Sequence, residues 1–131
     1  HTPDALTAAL FSLRELTEGR LIIVFGCGGG RDKFKRPIMG EIAENFADII
    51  IITDDNPRNE DPKEIRESIL KSCPSGIEIP GRKDAIIKAI DLGKKGDSVL
   101  IAGKGHEKFQ IIGSKKTPFS DQETIREVIG N

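Results

Sequence analysis

Tryptophan and tyrosine are absent from the 131 residues, and six phenylalanines are the whole aromatic content. That removes most of the side chains on which a nucleobase or a quaternary ammonium stacks. An excess of one charge is lacking too: 20 Lys and Arg stand against 21 Asp and Glu, for a formal net charge of −1. A general nucleic-acid binder carries a basic excess, so no nucleic-acid partner is expected. Long hydrophobic runs are missing. The longest, Leu21–Phe25 and Ile49–Ile52, fall far short of the roughly 20 apolar residues that cross a bilayer, so no membrane partner is expected either. Two cysteines, Cys27 and Cys73, are too few for a disulfide framework and read as reduced thiols of a cytoplasmic protein. No export signal opens the chain. It begins on His1 and its one methionine is Met39, which reads as an excised or processed piece of a longer protein.

What is present suffices for one core. Hydrophobic residues make up 37%, and residues 1–131 read as a single domain. Thr2-Pro3-Asp4 has the form of a helix start, with Thr2 as N-cap and Pro3 in the first helical position. Leu6, Leu10, Leu13 and Leu16 keep helical spacing until Gly19. Leu21–Phe25 is a continuous apolar run, the mark of a strand buried on both faces, and 49–52 and 98–101 are two more. Pro37 opens a helix with Ile38, Ile42, Ala43 and Phe46 on its inner face. Asp61-Pro62-Lys63-Glu64 starts another, Glu64 placed to cap back, with Ile65, Ile69 and Leu70 along it. Ile77-Glu78-Ile79 is a short strand near a sheet edge, and 82–92 is a helix ended by Gly93. Phe109–Ile112 is expected to pair with 115–117 as a hairpin around Gly113-Ser114. A last helix, capped at Ser120, carries Ile125, Val128 and Ile129. This alternation predicts an α/β fold, a Rossmann-like doubly wound, mainly parallel sheet with an antiparallel edge element.

In such sheets ligands bind beyond the carboxyl ends of the strands. Three polar loops leave those ends, at 26–33, 54–58 and 103–107. If the strands are neighbours, the loops bring Arg31, Lys33, Arg58 and Lys104 together with Asp55, Asn56 and Glu107. Cations beside carboxylates suit a zwitterion such as an amino acid better than a bare polyphosphate. No G-x-x-x-x-G-K-[ST] occurs. The run Gly26-Cys27-Gly28-Gly29-Gly30-Arg31 is only loosely a dinucleotide fingerprint and reads equally as a tight turn. Cys27 has no base beside it and reads as a small loop residue sooner than as a nucleophile; Cys73, before Pro74, reads as structural. His106 is a loop histidine or a general base. Asp54-Asp55 caps a turn sooner than it binds a metal. Arg58 is equally a turn arginine and an anion ligand.

Several segments together carry a resemblance: His1-Thr2-Pro3-Asp4-Ala5-Leu6, residues 26–37, Asp55-Asn56-Pro57-Arg58, Ala102-Gly103-Lys104-Gly105-His106-Glu107 and Pro118-Phe119-Ser120-Asp121. They span nearly the whole chain, and it resembles the C-terminal domain of the Mur ligases, ATP-dependent amino-acid ligases of peptidoglycan synthesis. Asp-Asn-Pro-Arg is similar to the branch that adds meso-diaminopimelate to UDP-N-acetylmuramoyl-L-alanyl-D-glutamate; lysine-adding relatives usually differ there. The resemblance implies a three-domain enzyme in which the chain's own N-terminal and central domains bind the UDP-sugar, ATP and Mg2+. ATP phosphorylates the D-glutamate side-chain carboxylate, and the amine of meso-diaminopimelate displaces phosphate. It further implies that Arg31, Asp55, Asn56, Pro57, Arg58, Gly103 and Glu107 contact meso-diaminopimelate, that His1 lies near the nucleotide, and that the isolated domain is inactive. The competing expectation is a stand-alone Rossmann-like module binding an anionic metabolite or a dinucleotide.

Overall fold

The computed structural model describes residues 2–30, 33–102 and 109–112, the last four as backbone only. In chain order the elements are α1 (Pro3–Leu16), β1 (Leu21–Phe25), α2 (Lys35–Phe46), β2 (Ile49–Ile52), α3 (Pro62–Leu70), β3 (Ile77–Glu78), α4 (Arg82–Leu92), β4 (Ser98–Ala102) and β5 (Phe109–Ile112). The strands form one sheet in the order β3-β2-β1-β4-β5. The first four are parallel and β5 runs antiparallel to β4, which is the mainly parallel sheet with an antiparallel edge that the sequence predicts. Phe109–Ile112 takes β4 as its partner, with Val99 opposite Ile112. Residues 115–117 and the helix expected from Ser120 lie outside the described residues.

Side chains alternate across a strand, so one continuous apolar run feeds two cores. Leu21, Ile23 and Phe25 face α1, α2 and α3, where they pack with Leu6, Leu10, Leu13, Met39, Ala43, Ile65 and Ile69. Ile22 and Val24 face α4 and meet Ala85, Ile86 and Ala89. Burial of each large side chain contributes about 1.5–3 kcal/mol. The starts of α1 and α3 are as the sequence predicts. The Thr2 hydroxyl accepts the Ala5 N–H at 3.1 Å, and the Asp61 carboxylate accepts the Lys63 N–H at 3.0 Å.

Two expectations about helix faces are corrected. Leu16, in the last turn of α1, is 78% exposed and no part of the core. α2 begins at Lys35, two residues before Pro37, and buries Arg36, Met39, Gly40 and Ala43, while Ile38 is exposed. Ile42 and Phe46 flank the core. Gly40 is in the stripe because α3 comes close: a Cβ there would lie 2.5 Å from the Ile69 carbonyl oxygen.

β2, β1 and β4 lie side by side and parallel, so their carboxyl ends share one edge. The chain departs β1 toward the three-helix face and reaches β4 from the α4 face. The gap between β1 and β4 is therefore where the winding direction reverses, the usual position of a ligand crevice. Among the described residues no helix is long and apolar enough to cross a membrane.

Candidate functional site

The loop after β1 and the loop after β2 are joined backbone to backbone. Thr53 donates its N–H to the Phe25 carbonyl at 2.9 Å, and Gly29 donates its N–H to the Asn56 carbonyl at 3.0 Å. The approach is close enough to require glycine. A Cβ on Gly26 would lie 2.1 Å from the Thr53 carbonyl oxygen, and one on Gly29 only 1.8 Å from that of Pro57.

Side chains complete the junction. Arg58 donates from Nη1 to the Gly29 carbonyl at 2.6 Å. Arg36, from the first turn of α2 and 3% exposed, donates to the Gly28 carbonyl at 3.3 Å and to Glu60 Oε2 at 2.9 Å. The same Glu60 oxygen accepts the Gly30 N–H, and Lys33 Nζ lies 3.8 Å from Oε1. Glu60 donates its own N–H to the Pro57 carbonyl. The Arg36 guanidinium, then the Gly30 N–H, holds the Glu60 carboxyl down at about 2. The glycine run is thus more than a tight turn. Its Gly29 and Gly30 amides both point at protein acceptors, so they do not form the outward nest of N–H groups that cradles a phosphate.

The Asp-Asn-Pro-Arg loop is under backbone strain. Asn56 has φ 32° and Arg58 φ 54°, left-handed values that side chains other than Gly seldom take. Asn tolerates that region; for arginine such a conformation persists only where the surroundings impose it, at about 1–3 kcal/mol. Asn56 and Arg58 are exposed, Pro57 half-buried and Asp55 buried. Asp54 pairs with Arg66, which also donates from Nε to Glu78 at 2.7 Å. On the other side, Arg82 donates to the Ala102 carbonyl at 2.9 Å, bracing the end of β4.

Of the residues singled out in the sequence, Asp55, Asn56, Pro57, Arg58 and Lys33 come to this edge. His1, Arg31, Gly103, Lys104, His106 and Glu107 lie outside the described residues. Cys27 is buried with Sγ 3.8 Å from Met39 Sδ. Burial pushes its thiol up to about 12, Arg36 opposing and Asp55 reinforcing, so it is a packed loop residue. Cys73 is likewise buried, and burial followed by Glu44 pushes it up to about 12. Arg36 and Glu60 are the two residues of the junction that sequence reasoning missed. The available signal was Arg36 in line with Met39, Gly40 and Ala43: a cation on a buried stripe needs an anion.

The geometry can be set beside known proteins. A protein-family model described as "Mur ligase, glutamate ligase domain" matches residues 1–105. The chain is 54% identical over 126 residues to UDP-N-acetylmuramoyl-L-alanyl-D-glutamate--2,6-diaminopimelate ligase of Mesorhizobium japonicum, covering 96% of this chain and 26% of that protein. It is 50% identical over 131 residues to the protein of the same name from Clostridium botulinum, covering 98% of this chain and 27% of that one. A solved structure titled as a UDP-N-acetylmuramoyl-L-alanyl-D-glutamate--2,6-diaminopimelate ligase superposes with a TM-score of 0.84 at 40% identity, over 99% of this chain and 28% of that chain. The chain spans about a quarter of the length of these curated relatives.

Proposed function

The chain belongs to the Mur ligase, glutamate ligase domain family, and on that premise we propose that it is the C-terminal, amino-acid-binding domain of a three-domain ATP-dependent ligase. That ligase adds meso-diaminopimelate to UDP-N-acetylmuramoyl-L-alanyl-D-glutamate. The observation that carries the reading is Arg58: an exposed guanidinium on a left-handed backbone, at the strand-end edge, fixed to the glycine loop through one N–H. Four further N–H donors remain on the group, enough for a bidentate fork on a carboxylate.

In this reading Arg58 takes the distal carboxylate of meso-diaminopimelate and Asn56 bonds it beside the fork. Pro57 shapes the loop and the buried Asp55 supports it from beneath. Arg31 takes the other carboxylate, and Glu107 with the Gly103 carbonyl accepts from the distal ammonium. The domain's part in amide formation is to hold the attacking amine against the activated D-glutamate carboxyl, and positioning of this kind removes up to about 7–11 kcal/mol of barrier. ATP and Mg2+ do not fit the described part of this chain. Its Gly29 and Gly30 amides are engaged, and the described residues contain no cluster of three His, Cys, Asp or Glu for a metal. Both are assigned to the rest of the ligase, with His1 the one position here placed near the nucleotide. The engaged amides also weigh against a stand-alone dinucleotide module.

The test is specificity. Lysine is meso-diaminopimelate without the distal carboxylate, and sites built to bond a polar group reject analogues lacking it by about 10⁴ or more. In the full-length ligase, kcat/KM for meso-diaminopimelate should exceed that for L-lysine on that scale. Arg58→Ala should lose most activity and narrow the ratio, and Arg58→Lys should restore little, since an ammonium has no fork. An equal ratio in wild type and Arg58→Ala overturns the pose.

A further inference from the structure

We infer that Glu60 is a positioning residue for the amino-acid site, locking the Arg58 loop and the glycine loop into one register through the buried Arg36. The inference rests on the function proposed above and assigns to it a residue outside the Asp-Asn-Pro-Arg segment.

Glu60 is bonded to both loops. Its backbone N–H goes to Pro57, the residue before Arg58, at 3.0 Å. Its carboxylate takes the N–H of Gly30, the residue before Arg31 in the chain. Each attachment is thus one residue from an arginine assigned to a ligand carboxylate. Arg36 closes the figure by reaching both Glu60 and the Gly28 carbonyl.

The geometry fits positioning more closely than general stability. The junction lies at the strand-end edge, and its bonds run to the backbone of the two loops. Arg58 keeps its left-handed backbone with help from two bonds, one on its own side chain and one on the carbonyl just before it, made by Glu60. Removing the Glu60 charge leaves Arg36 as a buried cation facing only a neutral carbonyl among these partners. Such a cation draws in water or shifts toward another anion, and either displaces the glycine loop from the Arg58 loop. A displacement of about 1 Å in a site that works by orientation lowers rate by up to about 10²-fold.

The experiment uses the full-length ligase and measures kcat and the three Michaelis constants in wild type, Glu60→Gln, Arg36→Met, the double variant and Arg58→Ala. Glu60→Gln should raise KM for meso-diaminopimelate about tenfold or more, while KM for ATP and for the UDP-sugar stays within about twofold. The double variant should resemble the single ones instead of adding their effects. A uniform change in all three constants, or an unchanged KM for meso-diaminopimelate, overturns the inference. Arg58→Ala separates the two claims. If it leaves KM for meso-diaminopimelate unchanged, the proposed site itself is wrong; if it raises that constant while Glu60→Gln does not, only the role of Glu60 falls. Should Glu60→Gln fail to fold, Glu60→Asp keeps the charge and shortens the reach, and the same three constants are read with the same two outcomes.

Discussion

Arg36 decides what its neighbours can be. A guanidinium 3% exposed needs a carboxylate within reach, and Glu60 supplies it at 2.9 Å. Cys27 lies in the same neighbourhood with the opposite outcome: the nearby cation lowers its pKa less than burial raises it. At pH 8 a thiol with a pKa of about 12 is ionised in about one molecule in 10⁴, and the thiolate is the reactive species. Neither Cys27 nor Cys73 should therefore react with a disulfide reagent at pH 8 in the folded chain, and both should in denaturant, as a colorimetric thiol titration reads directly. Rapid labelling of the native chain contradicts the packing described. The sign for stability follows. Both folded pKa values lie above the ordinary 9.0, so their contribution is full below about pH 9 and is lost as pH rises toward 12.

Capping makes the helix starts legible, and the same chemistry can be measured. Thr2→Ala and Asp61→Ala each remove a cap that accepts a backbone N–H. Each should lower unfolding free energy by about 1 kcal/mol in a urea titration with unchanged slope; a loss near zero means the cap bond contributes nothing. The strands were equally plain, because an unbroken run such as Ile49–Ile52 has no face it can leave in water. α2 was not legible to the same degree. Choosing apolar residues after Pro37 selects Ile38, yet the buried stripe runs through Arg36 and Gly40, which hydropathy rejects. One is buried because Glu60 neutralises it, the other because α3 leaves no room for a Cβ. Both reasons are tertiary, and local sequence carries neither.

Strand order makes the site. With β2, β1 and β4 adjacent and parallel, their carboxyl ends share an edge. The loops after β1 and β2 meet there, as the sequence expects if the strands are neighbours, while 103–107 lies outside the described residues. The junction itself was not, because it depends on which carbonyl each arginine meets. The two apolar clusters on either side of the sheet argue that the isolated chain folds. It should nonetheless make no amide when incubated with meso-diaminopimelate, the UDP-sugar substrate, ATP and magnesium, assayed for phosphate and tripeptide. Robust turnover by the pure chain contradicts the division of labour proposed. Supplying the proposed N-terminal and central domains as a separate chain should restore little, since a linker sets the effective concentration at which domains meet.

The direction of α1 has a practical consequence. Its C-terminal end is moored at the edge where strands begin: Arg14 pairs with Asp48 at 2.8 Å, and Thr17, the residue after the helix, bonds Ser98 at 2.7 Å. Fourteen helical residues at about 1.5 Å each then carry Thr2 some 20 Å back, to the edge where strands end. Whatever is fused ahead of Thr2 therefore arrives at the same edge of the sheet as the proposed amino-acid site. For a neighbouring domain that is a short tether in the right place. For an affinity tag or a sensor-chip anchor it is an obstruction, and immobilising the chain by that end covers the surface one wants to probe.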